Sequence, residues 1–95
     1  MQEPAWATVI IKEVCEEYNR NLPTMNWRQR AEYHTTGSTH YKIERIAITL
    51  GTDEQDHRLV LLHELAHYLN QSNRRGHTKE FWAIYESLIR KYWSE

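Results

Sequence analysis

His63, Glu64 and His67 form the pattern HExxH inside a run that reads as one amphipathic helix. A helix turns about 100° per residue, so positions four apart differ by only about 40° around its axis and project from one face. The two imidazoles can therefore share one metal ion, with the Glu64 carboxylate beside them. A zinc ion held in this way lowers the pKa of a water towards about 7, and a neighbouring carboxylate can take its proton as general base. A chain built around this pattern must bury one face of a helix and leave another open to a cleft.

A catalytic zinc usually has three protein ligands and an open position. The third candidate is His77, which follows a polar segment, Asn70 to Gly76, that carries Arg74 and Arg75. Residues 68–76 are enough for the helix to end and a loop to return the chain to the ion. Three imidazoles and a water suit zinc, although cobalt, nickel and iron can occupy similar ligands. His34, His40 and His57 lack motif spacing and read as surface residues.

The remaining totals set limits. A chain of 95 residues is one small domain, 1–95, with a modest core. Four Trp, six Tyr and one Phe supply large apolar areas to that core. A net charge of −1 gives no broad attraction to nucleic acid or acidic membranes. The single Cys15 cannot form an intrachain disulfide, which points to a reducing compartment, and the expected location is cytoplasmic. No apolar run approaches the roughly 18 residues that would span a bilayer.

Along the chain, Pro4 can occupy the first turn of a helix whose core positions are Trp6, Ala7, Ile10, Ile11, Val14 and Tyr18. Asn19 to Pro23 closes it, because Pro disfavours helix at the preceding residue. Between Met25 and Leu50, β-branched and aromatic residues predict a three-stranded sheet. Its strands are Met25 to Glu32, Thr39 to Ile43 and Arg45 to Leu50, with a turn at Thr36-Gly37-Ser38. In the last strand Ile46, Ile48 and Leu50 alternate towards the core. Arg28, Arg30, Lys42 and Arg45 read as scattered surface charge.

Thr52 or Asp53 can cap the metal helix, with Gln55 or Asp56 three residues on. Leu59, Leu62, Ala66 and Leu69 form its expected buried stripe, and Val60, His63, Glu64 and His67 an adjacent face. Thr78 can cap a last helix whose stripe is Phe81, Tyr85, Leu88, Ile89 and Tyr92, with Trp82 and Trp93 nearby as core aromatics.

The segments Leu61-Leu62-His63-Glu64-Leu65-Ala66-His67-Tyr68-Leu69 and Gly76-His77-Thr78-Lys79-Glu80-Phe81-Trp82 resemble those of the SprT-like zinc metalloproteases, the group that includes the Spartan proteases. Trp27-Arg28, Gly37 and Arg45-Ile46-Ala47-Ile48 resemble the family's sheet more loosely. The resemblance implies an α+β fold: a minimal zincin core of N-terminal helix, small three-stranded sheet, HExxH helix and C-terminal helix. It implies one zinc ion on His63, His67 and His77 with Glu64 as general base, and a link to DNA–protein crosslink repair. The 95 residues hold no cysteine-rich zinc ribbon or basic tail of the kind that brings many relatives to DNA.

The expected function is thus a monomeric zinc-dependent endopeptidase acting on a protein or peptide. The group that stabilises charge on the carbonyl oxygen stays open among Tyr41, Tyr68, Tyr85 and a loop arginine. The alternatives are a metal-containing module that binds peptide or nucleic acid with little turnover, and a zymogen-like form whose terminal residues cover the site.

Overall fold

The computed structural model describes residues 3–29, 37–40, 43–50, 54–70 and 77–93. The elements run α1 (Ala5–Glu17), β1 (Thr24–Gln29), β2 (Gly37–His40), β3 (Arg45–Leu50), α2 (Glu54–Leu69) and α3 (Lys79–Tyr92). This is the expected α+β arrangement of three helices and one small sheet.

Pro4 lies just before α1 rather than in its first turn, with φ −62° and ψ 143°, and its carbonyl accepts from the amides of Ala7 and Thr8. The helix stops at Asn19, whose φ of 54° is left-handed, a conformation Asn tolerates better than most residues. The amide of Arg20 bonds the Cys15 carbonyl at 2.8 Å and that of Asn19 bonds the Glu16 carbonyl at 3.2 Å. This pairing is a Schellman motif. It, rather than Pro23, closes the helix.

The sheet order is β1-β3-β2, with β1 parallel and β2 antiparallel to β3. As the middle strand, β3 is covered on both sides: Ile46, Ala47, Ile48 and Thr49 are all buried. Alternation therefore picks out only one of its two buried faces, and the side chain of Leu50 is outside the described residues. The second strand is Gly37–His40, not Thr39 to Ile43, and Ile43 is exposed at the corner that leads into β3. Gly37 and Ser38, expected in a turn, pair with Ile48 and Ala47.

Gly37 belongs in that strand for a packing reason. A Cβ there would meet the Ala47 carbonyl oxygen at 3.0 Å and the side chains of Val60 and Glu64 at 3.1 Å. The missing side chain lets β2 and α2 approach closely. The first strand is described as far as Gln29, and Arg30 to Glu32, Thr36 and the Thr52 or Asp53 cap lie outside the described residues.

Against expectation, α2 is buried around most of its circumference. It touches β2, β3, α1 and α3, so Leu61, Leu65 and Tyr68 are as buried as Leu62, Ala66 and Leu69, while Leu59 is only half-buried. A single stripe is too narrow a description for a helix with neighbours on several sides. On α3, Phe81 and Leu88 are buried, and Tyr85, Ile89 and Tyr92 pack at the edge of the core. Trp82, expected in the core, is exposed. Among the described residues, no helix is long and apolar enough to cross a membrane.

Candidate metal centre

The helical spacing of four brings His63 and His67 together on one side of α2, with ring centroids 5.0 Å apart. His77 arrives from the residues just before α3. The Thr78 hydroxyl accepts from the Phe81 amide at 3.2 Å and from the Asn70 side-chain amide, also at 3.2 Å. Asn70 is buried at the end of α2, and its own amide bonds the His67 carbonyl at 3.3 Å. The start of α3 is therefore clamped to the end of α2, and His77 is clamped with it.

Phe81 completes the support from beneath. Fully buried, it stacks on His77 at 4.5 Å and 24°, lies 4.3 Å from His67 and meets His63 edge-on at 5.1 Å. One ring thus supports all three imidazoles.

One ring nitrogen from each of His63, His67 and His77 lies within 4.8 Å of the other two, and the Nε2 atoms of His63 and His77 are 3.3 Å apart. Zinc–nitrogen bonds of about 2.0–2.1 Å in a tetrahedron give a nitrogen–nitrogen edge of about 3.3 Å. The donor chemistry fits as well. Burial, reinforced by His77, holds the His63 pKa below its usual value; burial, then His63 and His77, pushes His67 down to about 4. Both rings are neutral near pH 7, the form that binds a metal.

Glu64, the residue after His63 in α2, is buried. Its carboxylate accepts from the Thr39 hydroxyl at 2.7 Å, and the same hydroxyl lies 3.0 Å from the Glu64 backbone carbonyl. Burial raises the Glu64 pKa, and the Thr39 hydrogen bond partly offsets that rise. Sequence reasoning missed both Thr39 and Asn70. For Thr39 the available signal was the period of two from Gly37, which puts both residues on the face of β2 that meets α2.

Tyr68 is taken by another task. Its hydroxyl donates to the Asn21 carbonyl at 2.7 Å and lies 3.2 Å from a Glu44 carboxylate oxygen, while the Arg20 guanidinium sits over its ring at 4.6 Å. Burial, with Glu44 adding, pushes its pKa up to about 12. Tyr85 instead lies against the site, its ring 5.3 Å from that of His63. Tyr41, the loop residues Arg74 and Arg75, and His34 are outside the described residues, as are the terminal residues 1–2 and 94–95. His40 on β2 and His57 on α2 are not part of the three-histidine group.

Residues 7–92 match the model of the SprT-like family. The chain belongs to the SprT-like family. Family membership supports a metallopeptidase-type function, and the histidine cluster supports a metal ion at its centre. The fold is similar to that in the crystal structure of the metallopeptidase zymogen of Pyrococcus abyssi abylysin. The TM-score is 0.62 at 20% identity, over 87% of this chain and 79% of that one. A search of curated proteins gives no match.

Proposed function

We propose that this SprT-like chain is a zinc-dependent endopeptidase. The observation that carries the reading is Glu64, a buried carboxylate that accepts from the Thr39 hydroxyl and directly follows the first of three clustered histidines. A structural zinc site has no use for such a carboxylate and is usually closed by a fourth protein ligand, whereas the group among the described residues has three members.

His63, His67 and His77 would hold the ion, which when bound polarises both the attacking water and the substrate carbonyl. Glu64 takes the proton of that water and passes it to the leaving amine; burial makes it a stronger base than a solvated carboxylate. The charge that develops on the carbonyl oxygen needs a hydrogen-bond donor. Tyr85 suits that part: its ring borders His63, and burial raises its pKa, which keeps the hydroxyl protonated.

A peptide is the proposed substrate because β2 is an edge strand next to Glu64. An extended chain laid along such an edge gains backbone hydrogen bonds that do not depend on its sequence. A net charge of −1 supplies no broad field for DNA, so a crosslink-linked role is not part of the reading. The free, buried Cys15 is in keeping with a reducing, cytoplasmic setting.

The test is Glu64→Gln, which preserves shape and leaves all three imidazoles. Zinc stoichiometry is expected to stay at one per chain while kcat falls by about 10²–10⁴-fold. Tyr85→Phe is expected to lower kcat by about 10²–10³-fold. Parental turnover in the Glu64→Gln protein would show the mechanism to be wrong. Stoichiometric zinc and peptide binding without turnover in the parent would favour the binding module instead.

A further inference from the structure

Trp82 stands apart from the rest of the last helix. Phe81 and Leu88 are at most 2% exposed, whereas Trp82 leaves 50% of its surface to solvent. An indole carries one of the largest apolar areas of any side chain, and folding normally gains by covering it. Among the described residues, the other large apolar side chains in this condition, Val9, Leu22 and Ile43, are carried on α1, on the segment before β1 and at the corner before β3. Single exposed apolar residues of that kind need no explanation.

The placement of Trp82 does. Its ring lies 5.3 Å from His77 at 66°, 5.2 Å from Phe81 and 6.0 Å from Tyr85. Phe81 is the support under the three imidazoles, and Tyr85 borders His63. The exposed indole is therefore the outer end of an aromatic series whose inner end is the metal centre. A ligand at the centre that extends past His77 on the Trp82 side would meet the indole.

We infer that Trp82 is a specificity-determining residue, forming with Tyr85 a subsite for a large apolar or aromatic side chain next to the scissile bond. The inference rests on the peptidase reading for the bond that is cut, but the subsite itself is a binding property. The indole face offers stacking and apolar contact, and it offers no charge to compensate a carboxylate or ammonium group stripped of water. Discrimination between apolar and polar side chains by contacts of this kind is expected at the lower end of about 10–200-fold.

The experiment uses two fluorescein-labelled octapeptides, identical except for a central Phe or Ser, titrated into the zinc-loaded E64Q chain and followed by anisotropy. The Phe peptide is expected to bind at least about tenfold more tightly. Adding W82A is expected to abolish the preference, W82F to retain part of it, and W82Q, which keeps bulk without a ring, to behave like W82A. Circular dichroism and zinc content establish that each variant is folded and loaded. Equal or absent binding of the two peptides, or a preference that survives both W82A and W82Q, overturns the inference. Cleavage by the parent chain separates the two readings: a Phe preference in binding with no cleavage of either peptide sinks the peptidase and leaves the subsite standing.

Discussion

Glu64 experiences two opposed influences, burial that disfavours its charge and the Thr39 hydroxyl that favours it. A general base must be ionised and aimed, and Thr39 helps with both. Thr39→Val keeps the branched shape and removes the hydroxyl. It is expected to lower kcat by about tenfold or more, on the order of one charge-assisted hydrogen bond, with zinc binding unchanged. Thr39→Ser should restore most of the rate, because the donor returns. Equal kcat in the Val variant and the parent would remove Thr39 from the mechanism. At this scale the sequence was most legible where the geometry is local. His63, Glu64 and His67 lie within one turn or so of a helix, so their juxtaposition follows from residue spacing alone. Thr39 reaches Glu64 across 25 positions of chain, and only the pairing of a strand with a helix brings them together.

Strand boundaries were harder to read than helices for the same reason. Periodicity marked α1, α2 and α3, because each helix makes its own hydrogen bonds and its own faces. It misplaced β2, where Gly37 looked like a turn residue and is in fact the point at which the strand meets α2. The burial of α2 was also underestimated, since the sequence of a helix does not say how many neighbours surround it. Gly37 gives the element-scale prediction. In Gly37→Ala the new methyl lies 3.0 Å from a backbone oxygen that the β2–β3 pairing holds in place, and 3.1 Å from atoms of Val60 and Glu64. Relief requires β2 and α2 to separate slightly. Overpacking of this kind costs about 1–3 kcal/mol, and a lower urea midpoint at unchanged slope is the expected reading. Because Glu64 is one of the two side chains that would be displaced, activity should fall by more than the lost stability explains. A Gly37→Ala protein with parental midpoint and parental kcat would show that the close approach has no consequence.

Across the whole molecule, an ion held by the three histidines would tie two segments together: α2 supplies His63 and His67, and the entry to α3 supplies His77. A domain of this size has about 5–15 kcal/mol of net stability, so a ligand that binds only the folded form is a large addition. Cys15 offers a reporter of that addition. It is the one cysteine in the chain, it is 2% exposed within α1, and it lies on a different element from the histidines. Burial, partly countered by Arg20, raises its pKa above the ordinary 9.0, so the folded thiol is both covered and protonated. Alkylation by iodoacetamide must then follow opening of the chain, and where reclosing outpaces labelling its rate tracks the equilibrium between folded and open forms. Free zinc at 100 times its dissociation constant stabilises the folded form by about 2.7 kcal/mol, which corresponds to about 100-fold slower labelling. Chelation should restore the fast rate, and His77→Ala should blunt the protection because one of the two tied segments lets go. The thiol also sets a sign for alkaline pH. Its folded pKa is raised, so the unfolded chain loses the proton first as pH climbs past about 9, and stability declines from there upward. Cys15→Ala should flatten the fall in urea midpoint between about pH 8 and 10. Labelling that ignores zinc would mean that the histidine cluster does not bind the ion selectively in the folded state, and the peptidase reading would lose its foundation.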